Sequence, residues 1–355
     1  MERASTSPDG RPNLVGSSRA ELAEVLAGVD PRPYRVTQVY HWLTRRLASG
    51  LDEMTDLSKE LRASLGRVGV VRDPALVEVR RGEDGTAKYA LAGADGSVVE
   101  AVSMPMAGRT TLCLSSQTGC AVGCAFCVTG ALGAGRNLTG GEIFGQYRVM
   151  VREEGLLGTP INVVFMGMGE PLLNLGGVSR AIELLAETVS PKRVTVSTSG
   201  IVPGLRALAA LPRRPNLAVS LNATTQEQRR RLMPAAAHWP IEELLDALRA
   251  YPLERGRRIT VEYVLIRGVN DSMEDARRLP RLLRGIPVKV NLIPLNPDPE
   301  FLPGLAPPGE DTIDAFAGAL ADAHVNVTVR WSKGRDLAAA CGQLRGRVSA
   351  PRPEA

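Results

Sequence analysis

The chain has 355 residues, 44% of them hydrophobic, enough to bury a sizeable core and, at about 150 residues per domain, to form two or three domains. Its net charge of +5 is compatible with a polyanionic partner and does not demand one. No apolar run approaches the roughly 20 residues that span a bilayer, and Met1–Pro8 has no apolar core of a secretory signal, so a membrane span is excluded and a cytoplasmic protein is expected.

Residues 1–17 are polar and rich in Ser, Pro, Gly and Arg, and read as a flexible tail. Residues 18–69 carry three apolar patterns at helical spacing: Leu22, Val25 and Leu26; Val36, Val39, Trp42, Leu43 and Leu47; Leu57, Leu61 and Leu65. They predict a small helical domain. Residues 70–105 alternate as strands, with Gly82-Glu83-Asp84-Gly85 and Gly93-Ala94-Asp95-Gly96 as turns, and predict a β-rich connector. Over residues 106–345, strand candidates at 111–115, 161–165, 194–198, 217–220, 259–265, 288–293 and 325–330 alternate with amphipathic segments at 139–153, 177–188, 240–249, 274–284 and 311–323. Alternating β and α elements make a parallel sheet. Six or seven units are too few for a closed eight-stranded barrel, so the expected fold is α/β, a partial (β/α)6 barrel with its chemistry at the C-terminal ends of the strands. Residues 346–355 read as a second flexible tail. Arginine clusters at Arg45-Arg46, Arg80-Arg81, Arg213-Arg214, Arg229-Arg230-Arg231 and Arg255 with Arg257-Arg258 each read first as solvated faces.

Cys120, Cys124 and Cys127 stand just after the first barrel strand with C-x3-C-x2-C spacing. Three thiolates in one loop suit an iron–sulfur cluster. A cubane carries one more iron than this loop has thiolates, which leaves a coordination position open for chemistry. Structural zinc fits less well, because no second ligand pair exists and His41, His238 and His324 are scattered. A disulfide framework belongs to small secreted chains. One βα unit later comes Gly167-Met168-Gly169-Glu170-Pro171, where glycine lets the backbone approach a ligand and Glu170 can accept from an ammonium group. Taken alone, Cys113 and Cys341 read equally well as small core residues, Glu100 as a solvent-facing strand glutamate, and Met166 as a buried methionine.

The cysteine loop resembles the cluster motif of the radical S-adenosylmethionine (SAM) enzymes, whose open iron chelates the amino and carboxylate groups of SAM. Further segments resemble the RlmN/Cfr family of radical SAM RNA methyltransferases, over about residues 30 to 345: Leu112–Cys120, Gly167–Asn174, Ser197–Gly200, Asn291–Asn296 and Ala340–Leu344. The resemblance implies one [4Fe–4S] cluster on Cys120, Cys124 and Cys127. It implies SAM, used twice per turnover, on Gly169, Glu170, Ser197, Ser220, Leu221, Asn222 and Asn296; the family pattern often has His where Asn222 stands. It also assigns catalytic roles: Cys341 as methyl acceptor, Cys113 as the thiol that resolves a covalent RNA adduct by forming a disulfide with Cys341, and Glu100 as general base. The implied reaction is methylation of adenine carbon 2 in the peptidyl-transferase loop of 23S rRNA and in tRNA beside the anticodon, with residues 18–69 as an RNA-binding accessory domain and an electron donor such as flavodoxin. Methylation at carbon 8, as in the Cfr branch, is the nearest alternative; a glycyl-radical activase or a non-catalytic iron–sulfur RNA-binding protein is more distant.

Overall fold

The structure is a computed structural model that describes residues 10–346; the expectations for residues 1–9 and 347–355 lie outside the described residues. Three helices come first, α1 (Arg19–Ala27), α2 (Pro33–Thr44) and α3 (Lys59–Val68). Ser18 starts α1 through a reciprocal capping box with Glu21, and the Ser58 hydroxyl caps α3 by accepting from Leu61 N–H, each satisfying an otherwise unpaired amide. The expectation of a flexible tail as far as residue 17 is corrected. Leu14 and Val15 are fully buried, and Leu14 N–H donates to Val70 O at 2.8 Å. Two adjacent apolar residues within a polar stretch are enough to dock it.

Strands β1 (Ala75–Arg81), β2 (Ala87–Ala92) and β3 (Val98–Met106) form an antiparallel meander that continues onto β4 (Arg109–Cys113). The chain then runs α4 (Val128–Ala131), α5 (Gly140–Glu153), β5 (Ile161–Phe165), α6 (Leu175–Leu185), β6 (Val194–Thr198), α7 (Val202–Ala209), β7 (Asn216–Ser220), α8 (Gln226–Leu232), α9 (Ile241–Arg249), β8 (Ile259–Leu265), α10 (Met273–Leu282), β9 (Val288–Pro294), α11 (Glu310–Asp322) and β10 (Val327–Val329). Among the described residues ten strands form one sheet in chain order, and β4 through β10 pair in parallel. The expected partial barrel is therefore present: six βα units and a last parallel strand. The segment after β10 crosses back to the β2–β3 side, where Lys333 Nζ donates to Pro105 O at 2.7 Å and Gly334 N–H to Asp84 Oδ2 at 3.0 Å.

The N-terminal helices share one continuous apolar core with the barrel, from Leu22 and Leu65 to Tyr263 and Phe316. Arg148 of α5 is fully buried beneath them. Its guanidinium donates to Leu43 O, to Ala48 O at 2.6 Å and to Asp73 Oδ1 at 2.6 Å, so the buried charge is both paired and hydrogen-bonded.

Candidate active site

The cysteine loop leaves the C-terminal end of β4 and borders a solvent-open cavity of about 940 Å³ at the C-terminal ends of the barrel strands. All three thiols line it. The loop is held from outside: Ala125 N–H donates to Leu232 O at 2.9 Å, and Cys120, Cys124 and Phe126 pack on an apolar cluster of Val122, Leu232, Met233, Ala236, Ile266 and Leu295. Burial raises all three thiols, Cys120 to about 12 and Cys124 and Cys127 also upward. Among the described residues no three His, Cys, Asp or Glu side chains converge on a point where a single metal ion would sit. A cubane asks for something else: thiolates placed around a larger body, each on its own iron. Three thiols around an open cavity suit that arrangement better than a zinc ion.

The turn after β5 presents the second motif. Gly169 has φ +96°, and a Cβ there would come within 2.6 Å of Gln117 Cβ, so glycine is needed for both conformation and space. Glu170 is buried, with Oε1 accepting from Leu172 N–H at 2.9 Å and Oε2 from Ser199 N–H at 2.6 Å. Burial pushes its carboxyl up, while the amides of Ser199 and Leu172 pull it back. The carboxylate thus caps the following turn and still borders the cavity beside the cysteines.

Ser197, Ser220 and Asn296 also line the cavity. Three buried oxygens on its lining residues have no hydrogen-bond partner among the described residues: Ser199 Oγ, Glu262 Oε2 and Asn296 Oδ1. Thiols for a cluster, a held carboxylate for an ammonium, and unsatisfied oxygens for hydroxyl or amine donors together fit a cluster with SAM beside it. Leu221 and Asn222 do not line the cavity. Asn222 sits at φ 54°, a conformation Asn tolerates, and its side chain ties β7 to β8: Oδ1 accepts from Val264 N–H at 2.8 Å and Nδ2 points to Met233 Sδ at 3.4 Å.

Two lining residues escaped the sequence reading. Glu262 lies in β8, register partner of Ser220 on one side and Asn291 on the other, and Asn291 Nδ2 donates to its Oε1 at 3.1 Å. Arg330 follows β10 and borders both this cavity and a smaller one. A third residue, Arg229, departs from the solvated-face reading of its triplet, whose other two members, Arg230 and Arg231, are exposed. Arg229 is fully buried, donating to Ser199 O at 2.6 Å and Leu221 O at 3.1 Å. Desolvation brings its guanidinium down to about 10, opposed by the nearby Cys124 and Glu170.

The smaller cavity, about 420 Å³, holds the two remaining cysteines. Cys113 and Cys341 both line it, with Met166 and Arg330, and Cys341 borders the larger cavity as well. Burial raises Cys113 to about 12, which keeps it a neutral thiol. The Cys341 segment is pinned by Asn296 Nδ2 to Cys341 O at 3.1 Å, Val128 N–H to Gly342 O at 2.7 Å and Thr129 Oγ1 to Leu344 O at 2.7 Å. Glu100 is buried rather than solvent-facing, and lines neither cavity. Its Oε1 meets Lys88 Nζ at 3.1 Å and its Oε2 accepts from Arg345 N–H at 2.7 Å.

The radical SAM superfamily profile matches residues 114–279, and that of the ribosomal RNA large subunit methyltransferase N-terminal domain matches residues 12–71. A protein from Anaeromyxobacter sp. named dual-specificity RNA methyltransferase RlmN is 46% identical over 95% of this chain and 91% of its own length. A Thermus thermophilus protein named probable dual-specificity RNA methyltransferase RlmN is 45% identical over 90% of each. The chain belongs to the RlmN family. A crystal structure of a radical SAM methyltransferase from Sphaerobacter thermophilus superposes with a TM-score of 0.89 at 44% identity, covering 94% of this chain and 99% of that one. The N-terminal match begins at residue 12, in the stretch where Leu14 and Val15 dock. The superfamily match takes in the cysteine loop, Glu170 and Glu262, and stops short of Cys341.

Proposed function

We propose that the chain is a radical SAM RNA methyltransferase that methylates carbon 2 of an adenine, in 23S rRNA and in tRNA, with Cys341 as the methyl carrier. The observation that carries this reading is the position of Cys341, between a cavity bordered by three cysteines and a cavity holding a second free thiol. A nucleophile that must first accept a methyl group and later part from it needs that double exposure.

Cys120, Cys124 and Cys127 would hold the cluster, and Gly169, Glu170, Ser197, Ser220 and Asn296 the SAM. When bound, that pair would supply the methyl group and the two oxidising equivalents the reaction needs: the 5′-deoxyadenosyl radical would take one hydrogen atom from the S-methyl group and the cluster would take back one electron. The chain's own residues do the rest. Cys341 accepts the methyl on sulfur and carries it to the base. Glu100 takes the proton from the ring carbon. Cys113 then loses its proton and attacks the Cys341 sulfur; the carbon–sulfur bond breaks with its electron pair going to the carbon, which takes up a proton to become the methyl group on the base, and a Cys113–Cys341 disulfide is left. For Glu100 to reach the base, it must exchange the Arg345 amide for substrate. Arg345 and Cys341 lie on one short segment, so the shift that frees the base also moves the methyl carrier. Helices α1–α3 as an accessory RNA-binding region and an electron donor such as flavodoxin belong to the same proposal.

Anaerobic reconstitution with SAM, reductant and RNA, followed by nucleoside mass spectrometry, tests it. The expected product is 2-methyladenosine. An 8-methyladenosine product places the chain in the Cfr branch, and unmodified RNA with SAM still cleaved overturns the reading.

A further inference from the structure

The catalytic cavity lies at the C-terminal ends of the barrel strands; a second concavity lies at their N-terminal ends. It runs between α10 and α11 and reaches the residues that open β8, β9 and β10. Arg258, Arg277, Arg281, Arg284, Asp322 and His324 line it, all exposed.

The arginines are not balanced by ion pairs among the described residues. Elsewhere some clustered arginines are paired, Arg45 with Glu187 at 3.0 Å, Arg81 with Glu154 at 2.8 Å and Arg257 with Glu254 at 3.2 Å, and Arg229 is buried, whereas Arg213, Arg230, Arg231 and Arg255 are exposed without an ion pair to a described residue; the groove differs in gathering four such arginines around one concavity. In the groove, none of the four arginines makes an ion pair or a side-chain hydrogen bond with another described residue. Arg277, Arg281 and Arg284 recur at i, i+4 and i+7 along α10 and its end. Like charges at that spacing destabilise a helix. The helix dipole explains part of the placement, because the C-terminal ends of α10 and α11 each offer about half a negative charge. Those ends and Asp322 together offset roughly two of the four positive charges, and a surplus of about two remains. Arg258, from outside both helices, has no such explanation.

We propose that this groove binds the phosphate backbone of RNA at a distance from the nucleotide being methylated. Successive side chains at about 5–6 Å along a helix face present a row of cations, which suits a row of phosphates better than a single small anion. Guanidinium forks favour phosphate oxygens. An acidic protein partner would call for aromatic anchors, and the lining has no Phe, Tyr or Trp; a membrane surface would call for large exposed apolar side chains, whereas Leu283 and Ile286 are buried and the exposed apolar lining is Pro287 and Ala323. The position fits a substrate larger than its target loop, and the inference rests on the RNA reading above.

The test compares R277Q/R281Q/R284Q with wild type in the cluster-loaded full chain. The probes are a full-length tRNA transcript, a 23S rRNA fragment extending well beyond the target loop, and a short stem-loop holding only the target adenosine. For at least one long RNA, affinity is expected to fall about tenfold at 0.1 M salt, and the slope of log affinity against log salt to shrink by about 2, at roughly 0.7 per phosphate contact. The short stem-loop is expected to bind and be methylated as by wild type. Unchanged affinity and slope on both long RNAs overturn the groove, as does an equal loss on the short stem-loop. Methylation of the stem-loop by wild type reports separately on the proposed function, because the groove is read by binding alone.

Discussion

Lys88 Nζ lies 3.1 Å from Glu100 Oε1, and both side chains are buried between the connector strands and the C-terminal segment. Lys88 also donates to Ala338 O at 3.3 Å, so one cation holds both the proposed base and the chain that carries Cys341. Removing one partner of a buried pair leaves an uncompensated charge and costs about 3–5 kcal/mol, whereas replacing both with apolar groups is often neutral. K88M is therefore expected to lower the thermal midpoint sharply, and K88M/E100L to recover most of it. A K88M protein as stable as wild type would mean that water reaches the pair. E100Q keeps the shape, and is expected to retain Cys341 methylation while losing RNA methylation.

The cysteine loop gives a direct test of its ligand. C124A is expected to reduce iron from about four per chain to near background after anaerobic reconstitution, with the far-ultraviolet circular dichroism unchanged. The fold survives because the loop docks through backbone bonds such as Ala125 N–H to Leu232 O and through Val122, none of which needs the thiol. Full iron content in C124A would remove the cluster assignment.

What the sequence made legible was local. Cys120, Cys124 and Cys127 lie within one loop, and Gly169-Glu170 within one turn, so spacing alone carries their chemistry. The barrel strands were readable because short apolar runs alternate with amphipathic helices. Helices α4, α7 and α8 were not, because α4 has four residues, α7 opens on Val202-Pro203-Gly204, and α8 is a polar, arginine-rich pair of turns. Glu262 and Arg330 reach the cavity only because parallel strands bring distant positions into register, which leaves no mark in either strand's own sequence. The bond from Val264 N–H to Asn222 Oδ1 is invisible for the same reason, since Val264 comes from the next strand. Cys113 and Cys341 were legible through family resemblance alone.

Glu262 makes two opposed predictions. Its unpartnered Oε2 points to a donor on bound SAM, and a hydrogen bond to a charged acceptor is worth about 1.5–3 kcal/mol. E262Q is expected to weaken SAM binding by about tenfold or more in equilibrium titration. Without SAM the same substitution is expected to stabilise the protein, because burial raises the carboxyl above the ordinary glutamate range. The sign follows from linkage: a raised folded-state value adds stability below the unfolded value, which is lost as pH rises through the folded one. The gain from E262Q should therefore grow from pH 4 upward. Equal SAM affinity in both proteins would make Glu262 a barrel-packing residue.

The two outlying cysteines separate the steps of the proposed reaction. Cys113 is a buried thiol held near 12, whereas Cys341 borders both cavities. At pH 8, iodoacetamide is therefore expected to label Cys341 well before Cys113, with Cys113 labelling rising steeply only at strongly alkaline pH. C341A is expected to lose the methyl acceptor and all RNA methylation with its cluster intact. C113A is expected to behave differently. Methyl transfer to Cys341 and addition to the base both proceed, but no thiol remains to attack the Cys341 sulfur. Enzyme and RNA should then stay joined through the carbon between Cys341 and the adenine. A denaturing gel would reveal a species of raised mass that nuclease treatment collapses. Normal turnover by C113A, with free methylated RNA released, would make Cys113 a packing residue and require another thiol to complete the reaction.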